Sequence, residues 1–199
     1  MASEDRPKLG LRERKKAKTM AEVQKHALRL FREQGYKATT VEQIAEAAEI
    51  SYSTFFRYFA SKEEVLTHDN YDALLINTFE KEPSGISPLQ ALKHAMLSEI
   101  ANMSEEELET MRERNQLIRS IPELWSRAVN NMTGMMQLLA ELIAKRTGRQ
   151  PDDLMVRALA GAIVGVNISV MLHYADHPEA DFAAVLGEAL TALEQGFPL

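Results

Sequence analysis

The chain has 199 residues, of which 45% are apolar and 26% charged, with a net charge of −6 and no cysteine. That length holds a small head and a helical body with a sizeable core, and the lack of cysteine excludes a disulfide framework and thiolate metal sites. The first twenty residues are charged, and the longest apolar stretch, Ala158 to Leu172, is short for a membrane span and interrupted by Asn167 and Ser169, so a soluble cytoplasmic protein without a membrane partner is expected.

Residues 1–11 lack periodicity and read as an arm. From about Arg12 a helical pattern builds through Val23, Ala27, Leu30 and Phe31 to a stop at Gly35. The stretch TTVEQIAEAAEISYSTFFRYFASKEEVL, Thr39 to Leu66, then reads as two short helices joined by a tight turn, with a longer helix following at once. Val41, Ile44, Ala45 and Ala48 recur at helical spacing, and Ser51 stands as an N-cap before a run ending in Phe59. Ser61 is a second N-cap, with Glu64 at the capping-box spacing. The pattern predicts a helix-turn-helix over roughly 41–58 and a fourth helix from Ser61 to Phe79.

EPSGISP at 82–88 breaks the pattern, and Ser87-Pro88 opens a fifth helix ending near Asn102. Ser104 and Glu107 form another capping-box pair at the start of a sixth. Pro122 separates it from a seventh, which ends at Gly148. Pro151-Asp152-Asp153 opens an eighth, ending near Pro178, and Asp181 caps a ninth that stops at Gly196. The expected fold is all-α with about nine helices. The expected division is an arm and helix-turn-helix domain over 1–60 and a helical ligand-binding and dimerisation domain over 61–199.

The acidic total conceals an asymmetry. Residues 1–62 hold 13 Lys+Arg and 8 Asp+Glu, for +5, whereas residues 63–199 hold 10 and 21, for −11. A basic head on an acidic body focuses attraction for phosphate at one end. A small helix-turn-helix places its second helix in the DNA major groove. The exposed positions near the start of that helix are Tyr52 and Ser53, the candidates for base edges, with Arg57 one turn later. Phe55 and Phe59, four apart, should face the core of the head. Thr40, Thr54, Tyr58 and Lys62 suit phosphate, as hydroxyls and a cation at helix ends. The arm holds Arg12, Arg14, Lys15, Lys16 and Lys18 within seven residues, and beside the recognition helix these suit phosphate or minor-groove contact. For each of these, a solvated polar face is the competing reading.

In the eighth helix, Gly161, Gly165, Ile168 and Leu172 fall on one stripe, and Ile163, Asn167, Val170 and Tyr174 on the opposite one. The small residues of the first stripe, with Ala183 and Gly187 of the ninth helix, suit a homodimer through helices eight and nine, or packing within one subunit. The second stripe should face the interior of the body, where the buried amide of Asn167 needs partners, either neighbouring side chains or a ligand. Other candidate lining residues are Phe79, Met96, Ile100, Leu117, Trp125, Met132 and Met136, each of which taken alone is more often ordinary core. Arg112, Arg114 and Arg119 read as partners of a phosphate-bearing ligand or as a face paired with Glu105–Glu107, Glu109 and Glu113.

The words GLRERKKAKT and HALRLFREQGYKATTVEQIAEAAEISYSTFFRYFASKEEVL resemble the TetR family of bacterial one-component transcriptional regulators, and TFFRYFASKEEVL is a particularly specific match. MRERNQLIRSIPELWSRAV resembles the branch whose C-terminal domain binds acyl-CoA-like ligands. The resemblance implies a homodimeric regulator, a repressor released from a palindromic double-stranded DNA operator by a small apolar or acyl-CoA-like effector. It also implies a four-helix dimer interface built from two helices of each subunit. Two departures stand out. Glu49 occupies a turn position where the family commonly has Gly, at a cost of roughly 1 kcal/mol if φ is positive there. Phe56 stands where the family often has a Tyr able to reach phosphate, and is therefore read as core.

Other classes fit less well. There is no phosphate loop, dinucleotide fingerprint, nucleophile elbow or HExxH helix, so no enzyme and no cofactor is expected. His173 and His177, four apart beside Asp176 and Asp181, have a spacing that can chelate zinc but also suits a helix end. No metal site is expected there. A DNA-binding regulator gated by a protein partner, or not gated, is the remaining alternative.

Overall fold

Caps and glycines mark where several of the helices begin or end. The computed structural model describes residues 11–67, 71–177 and 179–198, except for the side chains at 11–14, 17 and 71–74. Ten helices and no strand occur among the described residues: α1 Leu11–Gln34, α2 Val41–Ala47, α3 Tyr52–Tyr58, α4 Lys62–Thr67, α5 Tyr71–Lys81, α6 Pro88–Ala101, α7 Glu105–Ser120, α8 Pro122–Thr147, α9 Leu154–Asp176 and α10 Phe182–Glu194. Gly35, Gly148 and Gly196 take φ of 87°, 69° and 79°, the left-handed conformation that ends a helix. Ser87 and Ser104 each close a capping box, and the Asp181 carboxylate accepts from the Ala184 N–H at 3.1 Å.

The all-α expectation holds, with one more helix than counted. The single helix expected from Ser61 to Phe79 corresponds to α4 and α5, on either side of residues 68–70, which lie outside the described set. At Ser61 the Glu64 N–H donates to Ser61 Oγ at 3.3 Å, and Glu64 Oε2 accepts from Ala60 N. The eighth helix begins at Leu154, with Asp153 as its cap, three residues later than Pro151. The basic run read with the arm lies in the first two turns of α1, where Lys15, Lys16 and Lys18 are exposed.

The chain divides into two compact units, residues 1–70 and 71–199. In the first, Val23, Ala27, Phe31, Ile44, Phe55, Phe59, Val65 and Leu66 are buried, so α4 packs with α1 inside this unit. In the second, α9 lies against α7, α8 and α10. In its stripe Ile163, Val170 and Tyr174 are at most 2% exposed, as the pattern required, whereas Asn167, expected to be buried, is half-buried. The apolar run judged too short for a membrane belongs to a helix of 23 residues, long and apolar enough to cross one by length and composition. Polar interruptions do not shorten a helix, and neighbouring helices cover the interior stripe.

Candidate nucleic-acid interface

The turn between α2 and α3 is a Schellman motif. The Ile50 N–H reaches Ala45 O at 2.9 Å and the Glu49 N–H reaches Glu46 O at 3.0 Å. That motif demands a left-handed residue at its end, and Glu49 supplies it with φ 53°. At the other side of the turn, Ser51 Oγ accepts from Thr54 N at 3.1 Å and starts α3. The turn fixes how α3 is presented. Phe55 and Phe59 are buried to 0% and 1%, with ring centroids 5.6 Å apart, so the opposite face of α3 points to solvent.

That outer face holds Tyr52, Ser53, Phe56 and Arg57. Tyr52 is 52% exposed. Phe56, read as core, is 43% exposed, because a position adjacent to Phe55 in sequence lies about 100° around the helix from it. The Ser53 and Thr54 hydroxyls lie 3.0 and 2.8 Å from Ser51 Oγ and share the cap, and Thr54 is half-buried. Arg57 is exposed, and its guanidinium donates to the Tyr58 hydroxyl at 3.2 Å while standing 5.0 Å from that ring centre. Thr40 is exposed and caps α2, where its hydroxyl accepts from Gln43 N at 3.3 Å.

Lys62 is differently engaged. Its ammonium donates to Tyr36 O at 2.9 Å and Thr39 O at 3.1 Å and lies 4.3 Å from the Tyr36 ring centre. Two of its three donors are thus used inside the unit. Beside it, burial of the Glu63 carboxyl works to raise its pKa. Hydrogen bonds from the Tyr36 hydroxyl, its own backbone and Ser61, together with the charge on Lys62, outweigh that and hold it below the ordinary carboxylate range. The side chain of Arg14 lies outside the described residues.

In the second unit the candidate lining residues stand in different surroundings. Phe79 is buried beneath the Arg146 guanidinium, 5.3 Å from its ring centre, and Arg146 also donates to the carbonyls of Glu82, Pro83 and Ile86. Met96, Ile100 and Met132 are half-buried against the core, and Leu117 and Trp125 are half-buried. Met136 is 37% exposed. It alone among the candidates lines a groove of about 340 Å³, with Thr133, Gln137, Ala140, Glu141, Pro151, Asp152 and Arg157. The Asn167 amide nitrogen donates to Ile163 O at 3.4 Å and lies 3.9 Å from Met96 Sδ, so its nearest partners are internal.

Tyr174 accepts at its hydroxyl from Arg112 at 2.8 Å, with the guanidinium 4.6 Å from its ring centre. Arg112 also pairs with Glu109 at 2.7 Å, whereas Arg119 pairs with Asp176 rather than with a glutamate of its own helix. Asn115, missed in the sequence, is 5% exposed, and its Oδ1 has no hydrogen-bond partner among the described residues. The Nε of Arg112 is likewise buried and unsatisfied. The available signal was position: Asn115 falls in line with Met111 and Ile118 on an otherwise charged helix.

Two of the three glycines assigned to the dimer face meet side chains of their own subunit. A Cβ on Gly161 would meet Met136 Cε at 3.3 Å, and one on Gly187 would be in ordinary contact with Leu97 Cδ1 at 3.5 Å. Gly165 is exposed, with nothing within 4 Å of that position. The rings of His173 and His177 lie 4.3 Å apart, and no group of three or more His, Cys, Asp or Glu able to hold a metal occurs among the described residues.

Residues 25–68 match the family model for bacterial regulatory proteins of the tetR family, and residues 86–198 match the MftR C-terminal domain. The HTH-type transcriptional regulator TcmR of Streptomyces glaucescens is 40% identical over 151 residues, covering 72% of this chain and 67% of TcmR. MftR of Mycobacterium tuberculosis is 28% identical, covering 92% of this chain and 93% of its own. Among solved structures, the TetR-family repressor FadR of Thermus thermophilus, in complex with lauroyl-CoA, superposes with a TM-score of 0.52 at 25% identity, covering 90% and 95% of the two chains. FadR of Bacillus halodurans has a TM-score of 0.58 at 21% identity over 90% and 96%.

Proposed function

The chain belongs to the TetR family and is a DNA-binding transcriptional regulator, not an enzyme, and from that premise we propose that it is a cytoplasmic homodimeric repressor released from a palindromic operator by an apolar or acyl-CoA-like effector. The exposed outer face of α3, with Tyr52, Ser53 and Arg57 on a basic head, carries the operator reading. Lys15, Lys16 and Lys18 add phosphate contact, with Thr40, Thr54 and Tyr58 beside the groove. Two heads require two copies, and an isologous interface supplies them with the symmetry of a palindrome.

The effector reading rests on the body. The FadR neighbour is in complex with lauroyl-CoA. The buried Oδ1 of Asn115 and Nε of Arg112 leave an acceptor and a donor unmet, which a ligand's polar group would satisfy. Such a ligand acts only through differential affinity for the two states of the dimer, and typical coupling of about 1–3 kcal/mol gives a partial response.

The test is a DNA-binding titration on a duplex selected from a random pool, repeated with long-chain acyl-CoAs and free fatty acids. Tyr52→Ala should cost about 1–3 kcal/mol in discrimination. Replacing Lys15 and Lys16 should weaken all sequences alike and flatten the salt dependence. Asn167→Leu and Asn115→Leu should blunt the effector response. If no acyl compound changes operator affinity, the effector reading fails and regulation through a protein partner, or none, takes its place.

A further inference from the structure

We propose that Phe56, with Tyr52, forms an apolar reading head for the 5-methyl group of thymine in the major groove. The proposal rests on the DNA-binding reading of α3 and adds the base that it selects.

Phe56 is 43% exposed on the outer face of α3, one turn from Tyr52, and the two rings meet edge-on with centroids 4.8 Å apart. The Phe56 ring also meets the Phe55 ring edge-on at 5.3 Å, and Phe55 is fully buried. The exposed ring is therefore braced on two sides, so little side-chain freedom remains to be lost on binding. Phenylalanine has neither donor nor acceptor and cannot serve a phosphate. A protein partner is disfavoured by the surroundings: Ser53 and Arg57 flank the pair on the same face, and the head carries +5 over residues 1–62. The major-groove edges of the bases offer one apolar group, the C5 methyl of thymine. Among the groups on those base edges, an apolar ring at this place in a recognition helix matches the methyl.

The experiment uses the full chain and a duplex that it selects from a random pool. Each thymine is replaced in turn by uracil, which removes only the methyl. At about 0.8 kcal/mol per buried methyl-sized group, one thymine in each half-site should show a roughly four-fold loss of affinity on replacement. In Phe56→Ala that loss should disappear while losses from changed bases elsewhere persist, and sedimentation should show an unchanged oligomer. A flat uracil scan on the native protein overturns the proposal without needing any variant. A methyl effect of full size in folded Phe56→Ala overturns it as well, because another group then reads the methyl. So does a change of oligomeric state in that variant, which assigns the ring to a protein contact. Failure to select any duplex sinks the DNA-binding reading itself, and this proposal with it.

Discussion

The ammonium of Lys62 stands 4.3 Å from the centre of the Tyr36 ring and donates to the carbonyl of that same residue at 2.9 Å. With its second bond, to Thr39 O at 3.1 Å, it ties the start of α4 to the segment between α1 and α2. Lys62→Met keeps the stem and removes the charge, and should lower stability by about 1–2 kcal/mol, since a half-exposed charged donor is worth less than a buried one. Urea unfolding measures it. An unchanged midpoint means the ammonium is free for other work.

Glu49 carries the left-handed conformation that its turn requires, with φ 53°. Glu49→Gly removes a side-chain penalty of about 1 kcal/mol but adds freedom to the unfolded chain, so a net gain of about 0.5 kcal/mol is expected. The variant should melt slightly higher and bind the same duplexes. A lower melting point would show that the Glu49 side chain makes a contribution larger than its strain.

Glu63 titrates below the ordinary carboxylate range because its hydrogen bonds outweigh its burial. With the folded pKa depressed, its contribution is complete above the unfolded value and is lost as pH falls through the folded one. Native protein should therefore lose stability relative to Glu63→Gln as pH falls below the ordinary glutamate value of about 4.3. Denaturation midpoints of the pair that fall in parallel over this range would contradict the assignment.

Gly165 is exposed on α9 with open space at its Cβ position, whereas Gly187 faces Leu97 at 3.5 Å. Gly165→Leu should be harmless to the isolated subunit, even favourable by about 0.8 kcal/mol of helix propensity. If α9 forms the dimer face, the same change should shift sedimentation toward monomer and weaken DNA binding. Gly187→Leu should instead destabilise the fold. A Gly165→Leu protein that remains a normal dimer removes α9 from the interface at this level.

What the sequence determined by itself is local. The stops at Gly35, Gly148 and Gly196, the caps at Ser87, Ser104 and Asp181, and the burial of Phe55 and Phe59 follow from φ, hydrogen bonds and spacing within a few residues of chain. The helix-turn-helix was legible for the same reason, and the strain at Glu49 through the family resemblance. Tertiary structure decided the rest. Lys62 is committed to carbonyls 26 and 23 residues away, and Arg112 to a hydroxyl 62 residues away. Met136 and Leu97 stand beside Gly161 and Gly187, and the packing of Phe55 leaves Phe56 facing solvent. Spacing along one helix defines its faces but not what stands opposite them. Which face is covered depends on side chains brought in from other helices, and no local rule contains that.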